Sequence, residues 1–98
     1  MDKKQLTVVG SASCHQCREL RDLLKGASIR FHYKGIEDVR RDDVLYTEYQ
    51  REVSRVSSDK KVHLPAAYID GPQGRRWISS HGKEDVRGMV ADIRNALR

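Results

Sequence analysis

A pair of cysteines, Cys14 and Cys17, constrains this chain more than any other feature of its sequence. They are the only cysteines present, and they stand where a short apolar run, residues 6–9, gives way to a helical pattern. A CxxC pair at such a junction fits a redox-active pair, half of a metal site, or two thiols that are merely neighbours. Which of these applies depends on the elements that surround the pair.

The sequence around the pair predicts a strand followed by a helix. Residues 5–9 (QLTVV) read as a short strand that ends at Gly10. Gly26 is a natural helix stop. Between the two glycines, apolar side chains recur three or four residues apart, as on one helix face: Cys17, Leu20, Leu23 and Leu24.

The rest of the chain continues the alternation. Residues 28–34 (SIRFHYK) predict a second strand, and Asp42 or Asp43 is placed to cap a second helix. That helix carries an apolar stripe of Leu45, Tyr49, Val53 and Val56. Residues 66–70 and 75–79 predict two strands joined by the turn GPQG. The last helix has the clearest amphipathic pattern, formed by Val86, Met89, Val90, Ile93 and Leu97.

The predicted order is therefore β-α-β-α-β-β-α. The first two strands, joined by a helix, are expected to be parallel with a right-handed crossover, and the last two, joined by a tight turn, are expected to be antiparallel. No repeat, linker or low-complexity tract divides the chain. We therefore predict a single α/β domain over residues 1–98, with a four-stranded mixed sheet and helices on its faces.

Composition narrows the class of protein further. Hydrophobic residues make up 38% and charged residues 34%, which is typical of a globular domain without disordered tracts. No apolar run approaches the roughly 20 residues of a membrane span, and QLTVVG is too short for the core of a signal peptide. We therefore expect a cytoplasmic protein, in which a CxxC pair is more often redox-active or metal-binding than structural.

The net charge of +5 does not by itself predict a nucleic-acid partner. The basic residues are spread along the chain among 14 acidic ones, and no aromatic platform accompanies them. A solvated surface accounts for such a pattern.

The position of the cysteines indicates redox chemistry. They follow the carboxyl end of the first strand and occupy the start of the first helix, where unpaired N–H groups stabilise a thiolate. Cysteines in such places can have pKa values lowered from about 8.5 to between roughly 3.5 and 7.5. Cys14 is expected near the exposed tip as the attacking thiol, with Cys17 one turn inward as the resolving thiol. A cationic His15 beside Cys14 would stabilise the thiolate further.

Pro65 stands immediately before the third strand. It cannot donate a hydrogen bond to the sheet, and an X-Pro bond is the one place where a cis peptide costs little. An ordinary strand-entry proline would look the same.

With these features together, the chain resembles the glutaredoxins, the smallest members of the thioredoxin-fold family, over residues 5–97. The family motif CPYC corresponds to CHQC at 14–17, and the Thr-Val-Pro loop corresponds to HLP at 63–65. The Gly-Gly-Cys-Asp-Asp turn corresponds to SSHGK at 79–83. The resemblance implies a thioredoxin-like fold and a thiol–disulfide oxidoreductase that acts on protein disulfides or glutathione mixed disulfides.

The resemblance also implies roles for individual residues. Cys14 would attack a disulfide, and Cys17 would then attack Cys14 and release the reduced product. Glutathione would be the co-substrate, with no permanently bound cofactor, and the protein would act as a monomer. A cis Pro65 would lie beside the active site, and the Leu64 backbone would pair with the substrate. Glutathione contacts would come from His15, Leu64, Pro65, Gly82 and Lys83.

Two departures from the family pattern leave alternatives open. Ser11 stands where the family usually has a lysine, and Ser79 and Ser80 replace the Gly-Gly turn; both places hold glutathione in relatives. A redoxin served by thioredoxin reductase, without glutathione use, is therefore one alternative. A non-catalytic thioredoxin-fold binding protein is another.

Metal or cluster binding is the third alternative. The side chains that could serve as ligands are Cys14, Cys17, His15, His63 and His81. A structural zinc site usually adds a second closely spaced ligand pair to CxxC, and this chain has none, so no metal site is expected.

Overall fold

Four strands and four helices follow one another in the computed structural model, which describes residues 4–57, 60–79 and 86–98. The strands are β1 (Gln5–Gly10), β2 (His32–Gly35), β3 (Ala66–Gly71) and β4 (Gly74–Ser79). The helices are α1 (His15–Gly26), α2 (Ile36–Arg41), α3 (Asp43–Val56) and α4 (Val86–Leu97). Within these ranges no helix is both long and apolar enough to cross a membrane.

The strands form one mixed sheet in the order β2-β1-β3-β4. Strands β1 and β2 are parallel, and β3 is antiparallel to both β1 and β4. These directions confirm the predicted parallel pairing of the first two strands and the predicted antiparallel pairing of the last two. The protein is therefore a mixed α/β structure with a four-stranded mixed sheet.

Two elements differ from the sequence prediction. Strand β2 begins at His32 instead of residue 28, because Ile29 and Phe31 lie in the preceding connection and pack on the core from there. A short helix, α2, precedes α3, so two helices instead of one join β2 to β3. Helix α2 buries only Ile36 and Val39, which is too few apolar positions to establish a helical period.

The start of α3 confirms one of the two predicted caps. The carboxylate of Asp42 accepts a hydrogen bond from the Leu45 amide at 3.1 Å, with Asp42 in an extended conformation as the N-cap residue. This bond satisfies one of the amide groups that a helix start leaves unpaired.

Alternation along β1 gives the sheet two buried faces. Leu6 and Val8 point to the face covered by α1 and α4, and Val9 points to the face covered by α2 and α3. The first core includes Leu20, Leu24, Met89 and Ile93. The second includes Val39, Leu45, Tyr49, Val53, Tyr68 and Trp77. Both faces of the sheet are thus covered around the end of β1 that precedes the cysteines.

Aromatic contacts dominate the second core. Tyr68 and Trp77 are directly opposite one another on β3 and β4, with ring centroids 4.8 Å apart. The two side chains thus form a cross-strand contact within the second core. The indole N–H of Trp77 donates to Glu48 at 2.6 Å, which ties α3 to the outer strand.

Replacing the cap of α3 tests this account of the fold. We expect Asp42→Ala to lower the free energy of unfolding by about 1 kcal/mol, because the Leu45 amide loses its acceptor. Asp42→Asn should restore most of that loss. Asp43→Ala, which removes the neighbouring carboxylate but no cap, is the matched control and should cost less. Urea denaturation of the three variants measures the differences; equal losses for both alanine variants would contradict the capping role.

Candidate functional site

Cys14 is the N-cap residue of α1. Its backbone is extended, and its sulfur accepts a hydrogen bond from the Cys17 amide at 3.1 Å. Two backbone bonds fix the turn that leads into the helix: the Cys14 amide donates to the Ser11 carbonyl at 3.2 Å, and the Arg18 amide donates to the Cys14 carbonyl at 3.3 Å. A cysteine sulfur therefore takes the place that a serine or aspartate oxygen occupies at many helix starts.

The two sulfur atoms are joined as a disulfide, with the Cα atoms 5.2 Å apart. Cys17 is completely buried, whereas Cys14 is partly exposed. A molecule arriving from solvent therefore meets Cys14 first. The attacking and resolving roles remain predictions, and this difference in exposure is the geometry that they require.

Glycine is required at position 10 by the close approach of α1 to the end of β1. A Cβ atom on Gly10 would lie 2.8 Å from both the Cβ and the sulfur of Cys17, and 3.1 Å from the Tyr33 hydroxyl. Distances this short do not occur between unbonded carbon or sulfur atoms in packed interiors, so any larger residue would push the helix away. The absence of a side chain at Gly10 thus sets the depth at which Cys17 sits.

A second loop reaches the same end of the sheet. Val9 is paired with Ala66, so the chain before Ala66 passes beside the segment that follows Val9 and leads to Cys14. The Leu64-Pro65 peptide bond is cis, which confirms the expectation drawn from the resemblance. Pro65 is fully buried, and Leu64 packs against the second core.

Tyr49 anchors this loop from α3. Its hydroxyl donates to the His63 carbonyl at 3.5 Å. Burial, with a smaller contribution from Tyr46, raises the pKa of Tyr49 to about 12. The phenol therefore remains a neutral hydrogen-bond donor throughout the range in which thiol chemistry operates.

A cavity of about 470 Å³ lies between α2, α3 and the two loops. Ser11 and Leu64, which the sequence comparison singled out, line it together with Ile36, Arg40, Tyr46, Tyr49, Gln50 and Val62. Sequence reasoning missed Arg40 and Gln50. Arg40 belongs to the short helix that the sequence pattern did not predict. The one sequence feature at Arg40 was that it stands in a run of charged residues.

Arg40 supplies a positive charge to this cavity. Its guanidinium pairs with Glu37 at 3.2 Å, and both side chains are largely exposed, at 55% and 73%. Exposed pairs of this kind contribute about 0.2–1 kcal/mol, so the guanidinium is free to exchange Glu37 for another carboxylate at little cost. Ser11 itself carries no charge, so the positive charge beside it comes from Arg40 of α2.

Ser79, compared above with the glycine turn of the glutaredoxins, has a structural role here. It is buried at the end of β4, and its hydroxyl lies 2.6 Å from that of Ser57. Ser57 also donates to the Val53 carbonyl at 2.7 Å, so the pair links the end of α3 to the end of β4. The Ser79 side chain is therefore turned into the interior.

The remaining predicted site residues are either at least partly exposed or outside the described residues. His15 is exposed in the first turn of α1, and His63 is partly buried. Ser80, His81, Gly82 and Lys83 lie outside the described residues. Among the residues that are described, no three His, Cys, Asp or Glu side chains stand together as a metal site.

In comparisons with known proteins, no family model, no curated protein and no solved structure matches the chain. The fold and the site define it as a mixed α/β protein with a disulfide-bonded CxxC motif at a strand-to-helix junction.

Substituting Gly10 tests the packing around the pair. We expect Gly10→Ala to destabilise the protein by about 1–3 kcal/mol, because the added methyl group overlaps Cys17. Gly26→Ala is the matched control, since a Cβ atom there meets nothing within 4 Å. It should leave stability unchanged or raise it slightly. Thermal and urea unfolding of both variants provide the measurement. A stable Gly10→Ala protein would mean that the strand end does not fix the position of Cys17.

Proposed function

We propose that this protein is a dithiol thiol–disulfide oxidoreductase of the glutaredoxin type, with a thioredoxin-like fold and Cys14 and Cys17 as its catalytic residues. The supporting observation is the first turn of α1, where the Cys17 amide donates to the sulfur of a partly exposed Cys14 while Cys17 itself is buried beneath. An amide at a helix start stabilises negative charge on that sulfur. A metal-binding role and a non-catalytic role draw no comparable support from the described residues.

The proposed reaction has two exchange steps. In the first, the Cys14 thiolate attacks one sulfur of a substrate disulfide, and the other substrate sulfur leaves as a thiolate that takes up a proton. In the second, Cys17 loses its proton and attacks the Cys14 sulfur. The second substrate thiol is then released, and the Cys14–Cys17 disulfide remains. Two electrons pass from the protein to the substrate, and two molecules of glutathione restore the dithiol by forming glutathione disulfide.

The cis-proline loop would position the substrate. Leu64 precedes Pro65 at the end of the sheet where Cys14 lies, and its backbone groups are not part of strand β3. An extended segment of the substrate beside its cysteine could pair with this backbone as an added strand. The Tyr49 hydrogen bond to His63 would hold the loop still while it does so.

For glutathione we propose Arg40 as the main cationic contact, in place of the lysine that Ser11 replaces. Glutathione carries a carboxylate at each end, and the exposed Arg40 guanidinium in the cavity next to Ser11 and Leu64 can receive one of them. His15, Gly82 and Lys83 remain proposed contacts. The wider proposal is of a single-domain, monomeric enzyme of the cytoplasm, where glutathione keeps such pairs reduced.

Thiol labelling tests the assignment of roles. After full reduction, brief treatment with iodoacetamide near neutral pH should alkylate Cys14 and spare Cys17, because only Cys14 is reachable from solvent. Peptide mass spectrometry locates the label. Cys14→Ser should abolish disulfide reduction, and Cys17→Ser should accumulate a mixed disulfide on Cys14. Preferential labelling of Cys17 would reverse the roles.

Kinetics with Arg40→Gln test the reductant. We expect the KM for glutathione to rise about tenfold, as for a lost charged hydrogen bond of roughly 1.5 kcal/mol, with kcat in the hydroxyethyl disulfide assay little changed. Arg41→Gln is the matched control, because Arg41 is the adjacent exposed arginine and does not line the cavity. Turnover with thioredoxin reductase but not with glutathione would establish the redoxin alternative.

A further inference from the structure

One face of α1 carries a line of positive charge that begins at Cys14. Arg18, Arg21 and Lys25 follow Cys14 at intervals of four, three and four residues, which places all four on one side of the helix. The buried side, with Cys17, Leu20 and Leu24, faces the core instead. The cationic line is therefore continuous with the exposed thiol.

A groove of about 760 Å³ borders this face, between α1 and the start of the edge strand β2. Lys4, Arg21, Lys25 and Arg30 bring positive charge to its walls, and Phe31 and Tyr33 bring aromatic surface. Among the described residues that line it, none is acidic. Glu19 and Asp22 of α1 do not line the groove, although Asp22, four residues after Arg18 and three before Lys25, borders the cationic line.

Within residues 4–57, 60–79 and 86–98, Arg21 has an aromatic contact but no ion pair. Its guanidinium stacks over the Tyr33 ring, 4.4 Å from the ring centroid. Its Nε atom is buried and makes no hydrogen bond to the part of the chain that is described. A buried guanidinium nitrogen without an acceptor is costly, and a bound carboxylate that draws the side chain outward would relieve that cost.

Other cations of the helix line and of the groove likewise have no ion pair within the described ranges. Ion pairs elsewhere join Arg40 to Glu37, Arg55 to Glu52 and Arg75 to Asp70. None of the ion pairs seen in these ranges involves Arg18, Lys25 or Arg30. Lys4, which also lines the groove, donates hydrogen bonds to the carbonyls of Ala96 and Arg98. Several cations without an ion pair in the described ranges are thus gathered on this face.

We propose that this face binds an acidic, extended segment of the protein substrate, adjacent to the cysteine that Cys14 attacks. From Cys14 to Lys25 the helix rises about 16 Å, which an extended peptide covers in about five residues. The proposal rests on the proposed function, because it is the reaction at Cys14 that brings a polypeptide to the start of the cationic line on α1. The preferred substrates carry several Asp or Glu residues within about five positions of the reacting cysteine.

Three fluorogenic peptide disulfides that differ only in five flanking residues, rich in Glu, Gln or Lys, test the proposal. At low ionic strength we expect kcat/KM for the Glu peptide to exceed that for the Gln peptide about tenfold, with the Lys peptide poorest. In 0.5 M salt the differences should shrink, because screening is then effective within about 4–5 Å.

Charge reversal locates the effect. Lys25→Glu with Arg30→Glu should reduce the preference for the Glu peptide to less than twofold. Arg76→Glu with Arg94→Glu makes the same change in net charge on β4 and α4, outside the groove, and should preserve the preference. All four side chains are exposed, so we expect both variants to fold and to reduce hydroxyethyl disulfide as the unmodified protein does. Lys25→Gln with Arg30→Gln provides a milder second variant.

The outcomes separate this inference from the proposed function. If hydroxyethyl disulfide is reduced but the Glu and Gln peptides react equally, the groove proposal is wrong and the redox function stands. If hydroxyethyl disulfide is not reduced at all, the redox function is wrong. Fluorescence anisotropy with a cysteine-free Glu peptide then still tests the groove, and no binding would overturn it. Tighter binding of a single-stranded oligonucleotide than of the Glu peptide would also overturn it.

Discussion

The contact between Cys17 and the backbone of Gly10 determines the geometry on which the rest of the site depends. A Cβ atom at Gly10 would lie 2.8 Å from the Cys17 sulfur, so helix and strand meet as closely as atoms allow. This contact buries Cys17 completely and leaves Cys14, one turn earlier, at the surface. The asymmetry between two chemically identical side chains therefore arises from packing.

The exposed cysteine, Cys14, lies in the positive electrostatic field of the helix start. The amide of Cys17 points at the Cys14 sulfur because the helix starts there, and the other unpaired amides of the first turn add to the same field. The cationic face of α1 lies beyond them and extends away from the thiol. A disulfide substrate with neighbouring carboxylates would thus meet favourable charge both at the reacting sulfur and along its chain.

The second core supports the site from the other side of the sheet. Tyr49 is held between Tyr46 and Trp77, with ring centroids 6.1 and 5.9 Å away, and from there it hydrogen-bonds the loop that contains the cis proline. The hydroxyl groups of Ser57 and Ser79 fix the ends of α3 and β4 to one another. Residues whose sequence pattern indicates only packing therefore hold the loop that borders the candidate site.

The sequence alone determined the relative directions of the first two and of the last two strands, a helix cap at Asp42 or Asp43, and the position of the cysteines at the start of a helix. These are local properties: alternation, helical spacing and capping chemistry are set by residues within one or two turns of each other. The short helix α2 was not predictable in this way, because six residues with two buried side chains do not establish a period. The late start of β2 was not predictable either, because apolar residues such as Ile29 and Phe31 fit a strand and a core-packed connection equally well.

Only the tertiary structure decided which residues of distant segments share a surface. Arg40 reaches the cavity beside Ser11 and Leu64 because α2 packs across the second face of the sheet. Ser79 turns inward because Ser57, 22 residues earlier, lies opposite its hydroxyl. The cationic groove exists because the edge strand β2 places Tyr33 against Arg21 of α1, and the connection before β2 brings Arg30 to the same groove. Such neighbours are brought together by long-range packing, which no local pattern of side chains encodes.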